Sequence, residues 1–107
     1  MGYQVLTFNY NIGDTGITQG DDGNGGTSVG INVSLIPPFG WTILNVVSVI
    51  TSNPVDNPGL DVGPTVTPPS NDGGTPWTVS AGADYEGLSH PIAAATPVFQ
   101  ITVIAGN

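Results

Sequence analysis

The chain has 107 residues and contains no lysine and no arginine. Soluble proteins are about a quarter charged, with roughly half of that basic, so a chain of this length would lack both residues by chance only a few times in a million, roughly. The absence is therefore a selected property. Eight carboxylates, Asp14, Asp21, Asp22, Asp56, Asp61, Asp72, Asp84 and Glu86, stand against one imidazole, His90, and the formal charge is −8. Their counter-charge must come from beyond the chain: a metal ion, salt and water, or a basic surface on another protein. Without Lys or Arg the chain has no means of neutralising phosphates, which argues against nucleic acid. It is also repelled by anionic membrane surfaces. Strong net charge favours solubility and attraction to basic surfaces.

Cysteine is absent as well, which removes disulfide frameworks and thiol chemistry. No apolar run approaches the ~20 residues that span a bilayer. Met1-Gly2-Tyr3-Gln4 has neither the basic region nor the apolar core of a secretion signal. The expectation is a protein made and used without a signal, or one whose signal was removed, at a virion surface or outside a cell. Helix signals are also scarce. No segment keeps apolar residues at i, i+3, i+4 and i+7 over three turns, and the strong helix formers are few.

What is present is strand pattern broken by punctuation. The 16 glycines and 10 prolines fall in clusters, with apolar runs of strand length between them. Residues 3–11 alternate, with Leu6, Phe8 and Tyr10 on one face and Val5 and Thr7 on the other. Residues 28–36 alternate most clearly, with Val29, Ile31, Val33 and Leu35 sharing a face. Residues 41–50 are apolar on both faces (Ile43, Val47 and Val49 against Leu44, Val46 and Ile50), which predicts a central strand. Residues 77–81 and 97–105 complete the set, and 92–96 reads as a short edge strand. Three loops separate them: 13–27, 53–76 and 82–91. The pattern predicts one all-β domain over residues 1–107, an antiparallel β-sandwich of immunoglobulin-like or jelly-roll kind, with long Pro/Gly-rich loops. Lysine, the common guard of sheet edges, is lacking, so proline or a neighbouring subunit must protect them.

The chemical motifs are sparse. Asp21-Asp22-Gly23-Asn24 offers oxygens suited to Ca²⁺, but Val33 stands where a calcium loop would place its Glu, and the plainer reading is an exposed hairpin turn. Ser89, His90 and Asp84 lack the spacing and the oxyanion signature of a hydrolase. Asp84 and Glu86 share a face as a solvated acidic pair rather than a glycosidase couple. No catalytic residue is assigned, and no cofactor other than Ca²⁺ at Asp21, Asp22 and Asn24 is in question. Trp41, Trp77 and Tyr85 are candidate partner anchors. The proline-rich segment 53–76, with Pro64, Pro68 and Pro69, is a candidate arm across a neighbour, because pre-extended chain loses little entropy on docking; Val62, Val66 and the Thr65/Thr67 pair suit a short strand within it.

In size, β-class and composition the chain resembles the small decoration (cement) proteins of tailed-phage capsids, though no motif carries the resemblance and no residue role follows from it. The resemblance implies a non-enzymatic structural protein, made without a signal and seated as a homo-oligomer on a larger protein shell or filament. The alternatives are a carbohydrate-binding or adhesive β-sandwich module using Trp41, Trp77 or Tyr85, and an extracellular fibre subunit.

Overall fold

A computed structural model describes residues 2–51, 60–70, 76–85 and 87–107. Asp56, Asp72, Glu86 and both flanks of the expected arm, Pro54 and Pro58 included, lie outside the described residues. The described residues form seven strands: β1 (Tyr3–Asn11), β2 (Ile17–Asp21), β3 (Thr27–Ser34), β4 (Thr42–Thr51), β5 (Leu60–Thr67), β6 (Thr78–Tyr85) and β7 (Pro97–Gly106). All neighbours are antiparallel. They make a three-stranded sheet, β1-β7-β4, and a four-stranded sheet, β2-β3-β6-β5. None of the described residues forms a helix long and apolar enough to cross a membrane.

The sheets enclose one apolar cluster. Val29, Ile31 and Val33 enter it from β3, Val79, Ala81, Ala83 and Tyr85 from β6, and Phe99, Ile101 and Val103 from β7. Each set is spaced by two, as the pleat demands. The strand order is immunoglobulin-like. If β2 to β7 are taken as the first six strands of a constant-type sandwich, both sheets follow that order, and β1 fills the seventh place beside β7.

Several expected features need correction. β4 is an edge strand, and β7 is the centre of its sheet. The register of β4 against β7 slips twice, between Ile43 and Asn45 and between Val46 and Ser48. Each bulge adds one residue, so the inward positions are Ile43, Val46 and Val49, which face Ala105, Val103 and Ile101. Leu44, Val47 and Ile50 are left outside. That is why the segment looks apolar on both faces.

The expected loop 13–27 contains β2. It carries a single apolar residue, Ile17, and is held by its pairing to β3. The middle of the 53–76 segment is β5, so Pro64 belongs to the sheet rather than to an arm. Pro64 sits where the β5 register breaks, between Val62 and Thr65, a position that proline takes on sheet edges. Residues 92–96 are a turn, not a strand. The Gln19 carboxamide clamps this turn from β2: it donates to Ile92 O at 3.1 Å and accepts from Ile92 N at 2.7 Å.

Candidate functional site

Charge is segregated by sheet. β1, β4 and β7 contain no Asp, Glu or His. Among the described acids, Asp21, Asp61 and Asp84 lie on β2, β5 and β6, and Asp14 and Asp22 lie in the turns on either side of β2. The outer face of the three-stranded sheet is therefore uncharged. It is also rich in exposed apolar side chains: Tyr3 and Val5 from β1, Ile104 from β7, and Leu44, Val47 and Ile50 from β4. Val5 pairs directly with Ile104. Tyr3 and Leu44 close over Gly106 from either side, where a Cβ would stand 3.0 Å from Leu44 Cδ1 and 3.5 Å from Tyr3 Cδ1. The remaining outward groups are neutral. Thr7 lies opposite Thr102, and Gln100 Nε2 donates to Asn9 Oδ1 at 3.0 Å.

At the Thr42 end this face runs into a second feature. Trp41, Trp77, Pro37, Pro69 and Pro76 line a cleft of about 180 Å³, and Thr42 lines both this cleft and the hollow over Gly106. Trp77 is held in place by two bonds: its Nε1 donates to Ile43 O at 3.1 Å, and its carbonyl accepts from Leu35 N at 2.9 Å. Sites that enclose a small molecule measure roughly 300–1,000 Å³. This cleft therefore suits a single inserted side chain. Ile36 and Phe39 are exposed on the preceding loop, and Ile36 lines a separate hollow with Tyr10 and Thr15.

Of the residues expected to bind partners, Trp41, Trp77 and Pro69 come together here. Pro68 is exposed next to Pro69, and Pro64 is apart on the β5 edge. Tyr85 is not a surface anchor. It occupies an inward position of β6 with 0% exposure, and its hydroxyl donates to Val98 O. Burial pushes its pKa up to about 12.

The acidic hairpin lies at the other end of β6 from Trp77. Asp21 Oδ1 accepts from Gly23 N at 2.8 Å, and Asp22 Oδ1 accepts from Asn24 N at 2.7 Å and Gly26 N at 3.0 Å. Asp22 is held below the usual carboxylate range, first by the Asn24 N–H, with Gly26 N–H and a hydrogen bond to the Asp84 carboxyl adding to it. These bonds close the turn on the Oδ1 atoms of Asp21 and Asp22. Among the described residues, no three of His, Cys, Asp or Glu stand close enough to share a metal. Ser89 and His90 both lie exposed on the loop after β6.

The uncharged face was missed in the sequence because its apolar residues look like core. The available signal was that all eight carboxylates fall outside 3–11, 42–51 and 97–106. Comparison of the chain with protein families, curated proteins and solved structures finds no match.

Proposed function

We propose that this chain is a non-enzymatic structural protein that assembles as an oligomer on a larger protein particle, with decoration of a virion capsid as the best reading. One observation carries it: a chain of charge −8 keeps one whole sheet free of charge and leaves apolar side chains standing on its outer face. Exposed contiguous apolar surface of this kind marks protein interfaces. An enzyme would need a cleft with converging polar groups. This surface offers apolar area and a notch for an anchoring side chain instead.

In this reading the outer face of β1-β7-β4 meets the particle, Trp41 and Trp77 receive one of its side chains, and the carboxylates face away or towards a basic neighbour. The test is add-back. The purified chain, mixed with particles stripped of it, should cosediment with them and raise their rupture temperature. The double substitution Leu44→Asp with Val47→Asp should abolish both effects. Cosedimentation unchanged by that pair would overturn the reading. Retention on polysaccharide that depends on Trp41 and Trp77 would favour an adhesive module instead.

A further inference from the structure

The two sheets present four edges, and three of them are protected. β4 is broken by two bulges. β5 breaks register twice, with Asp61 in the first break and Pro64 in the second. β2 is only five residues long, contains Gly20 and ends in Asp21. β1 has none of these devices before its last residue, where the register slips between Tyr10 and Asn11. It runs for nine residues without proline, glycine or charge, and its register against β7 is unbroken from Tyr3 to Tyr10. Among the described strands its only neighbour is β7. A long, flat, neutral edge is a template for another strand, and proteins that do not use such an edge block it.

We infer that β1 pairs antiparallel with β1 of a second copy of this chain. Charge selects that occupant. Two copies, each at −8, repel one another through every carboxylate-bearing surface and can approach closely only through the neutral sheet. A basic foreign protein would be drawn to the acid-bearing sheet instead. Self-pairing about a two-fold axis is isologous, so one strand supplies both halves of the interface. Full overlap of the nine residues puts Thr7 opposite Thr7 of the second copy, and Val5 opposite Asn9. Cross-strand Thr–Thr pairs are favourable, and none of the opposed groups is charged. Asp14 Oδ2 accepts from Asn11 N at 2.8 Å and closes the end of the strand where pairing stops.

The product is a six-stranded sheet in the order β4-β7-β1-β1-β7-β4. Its two apolar outer faces run together as one surface, so each dimer can engage a particle twice. The use of that doubled surface rests on the function proposed above, but the dimer itself does not.

The experiment uses the purified full chain with no particle present. Sedimentation should give about twice the chain mass. Thr7→Lys places like charges directly opposite each other and should weaken association at least about tenfold, with the far-ultraviolet spectrum unchanged because Thr7 is exposed. The chain has no cysteine, so single thiols report cleanly. Thr7→Cys should be joined into a covalent dimer by a short bismaleimide, and Ser80→Cys, on the outer face of β6, should not. A strict monomer, an unaltered Thr7→Lys association, or equal cross-linking at the two positions would each overturn edge pairing. Equal cross-linking includes the case of a swapped β1, which would set Thr7 against Thr102 of the other copy. A dimer that never binds a particle retires the particle reading alone. A monomer that binds one retires the dimer alone.

Discussion

The hydroxyl of Tyr85 donates to the carbonyl of Val98, tying the last residue of β6 to the second residue of β7 and so one sheet to the other. Tyr85→Phe keeps the ring and removes the donor, leaving a buried carbonyl oxygen without it. The expected loss is about 1–3 kcal/mol, read from urea unfolding at neutral pH.

Burial of the same hydroxyl sets an alkaline limit. Tyr85 rises from the ordinary 10.0 to about 12 on folding, so the folded state favours the neutral phenol. Its contribution is complete below pH 10 and falls as the pH climbs towards 12, by on the order of 2 kcal/mol. Unfolding curves between pH 9 and pH 12 should show a decline that Tyr85→Phe flattens.

At the acid end the sign reverses. Asp22 is held below its ordinary value of 3.8, so its contribution is present above that pH and is lost as the pH falls through the folded value. Asp22→Ala should abolish hydrogen-exchange protection of the Asn24 and Gly26 amides, which now bond to its Oδ1. Adding Ca²⁺ should leave the melting temperature within about 1 °C, because a ligand stabilises only by the affinity it has for the folded state and, among the described residues, no three acids gather to supply it.

Gly16 has φ 88°, and a Cβ there would lie 2.4 Å from Asn32 O and 2.8 Å from Val33 Cγ1. The Gly16 carbonyl accepts from Asn32 N at 2.9 Å, so the backbone cannot withdraw without losing that bond. Gly16→Ala should cost about 2–4 kcal/mol, measurable as a lower denaturation midpoint with an unchanged slope.

The bulges in β4 yield a paired test. Val46→Asp puts a carboxylate against the core and should prevent folding, whereas Val47→Asp, at an exposed position, should leave stability within about 0.5 kcal/mol. Expression yield and circular dichroism distinguish the two.

That pair also marks where sequence reading stops. β3 was legible because its apolar residues alternate strictly and one face is buried, and β1 because Leu6, Phe8 and Tyr10 share a half-buried face. β4 was legible as a strand but not as an edge: its inserted residues shift the inward set from Val47 to Val46, and no local pattern records a bulge. β2 was obscure because pairing with β3, not apolar periodicity, holds it, whereas β5 showed in the sequence as Val62, Thr65, Val66 and Thr67 within the proline-rich segment. Trp41 and Trp77 could be singled out by residue type. Their meeting in one cleft could not, since they precede strands of opposite sheets. Tyr85 shows the converse, because residue type alone does not tell an exposed ring from a buried one.

A shell coated through the neutral sheet would wear its carboxylates outwards. Each added copy would deepen the negative potential at the rim, raise the electrophoretic mobility of the whole body towards the anode, and hold neighbouring bodies apart in suspension. Salt would collapse that spacing without loosening the coat, since the grip is apolar and the repulsion is ionic.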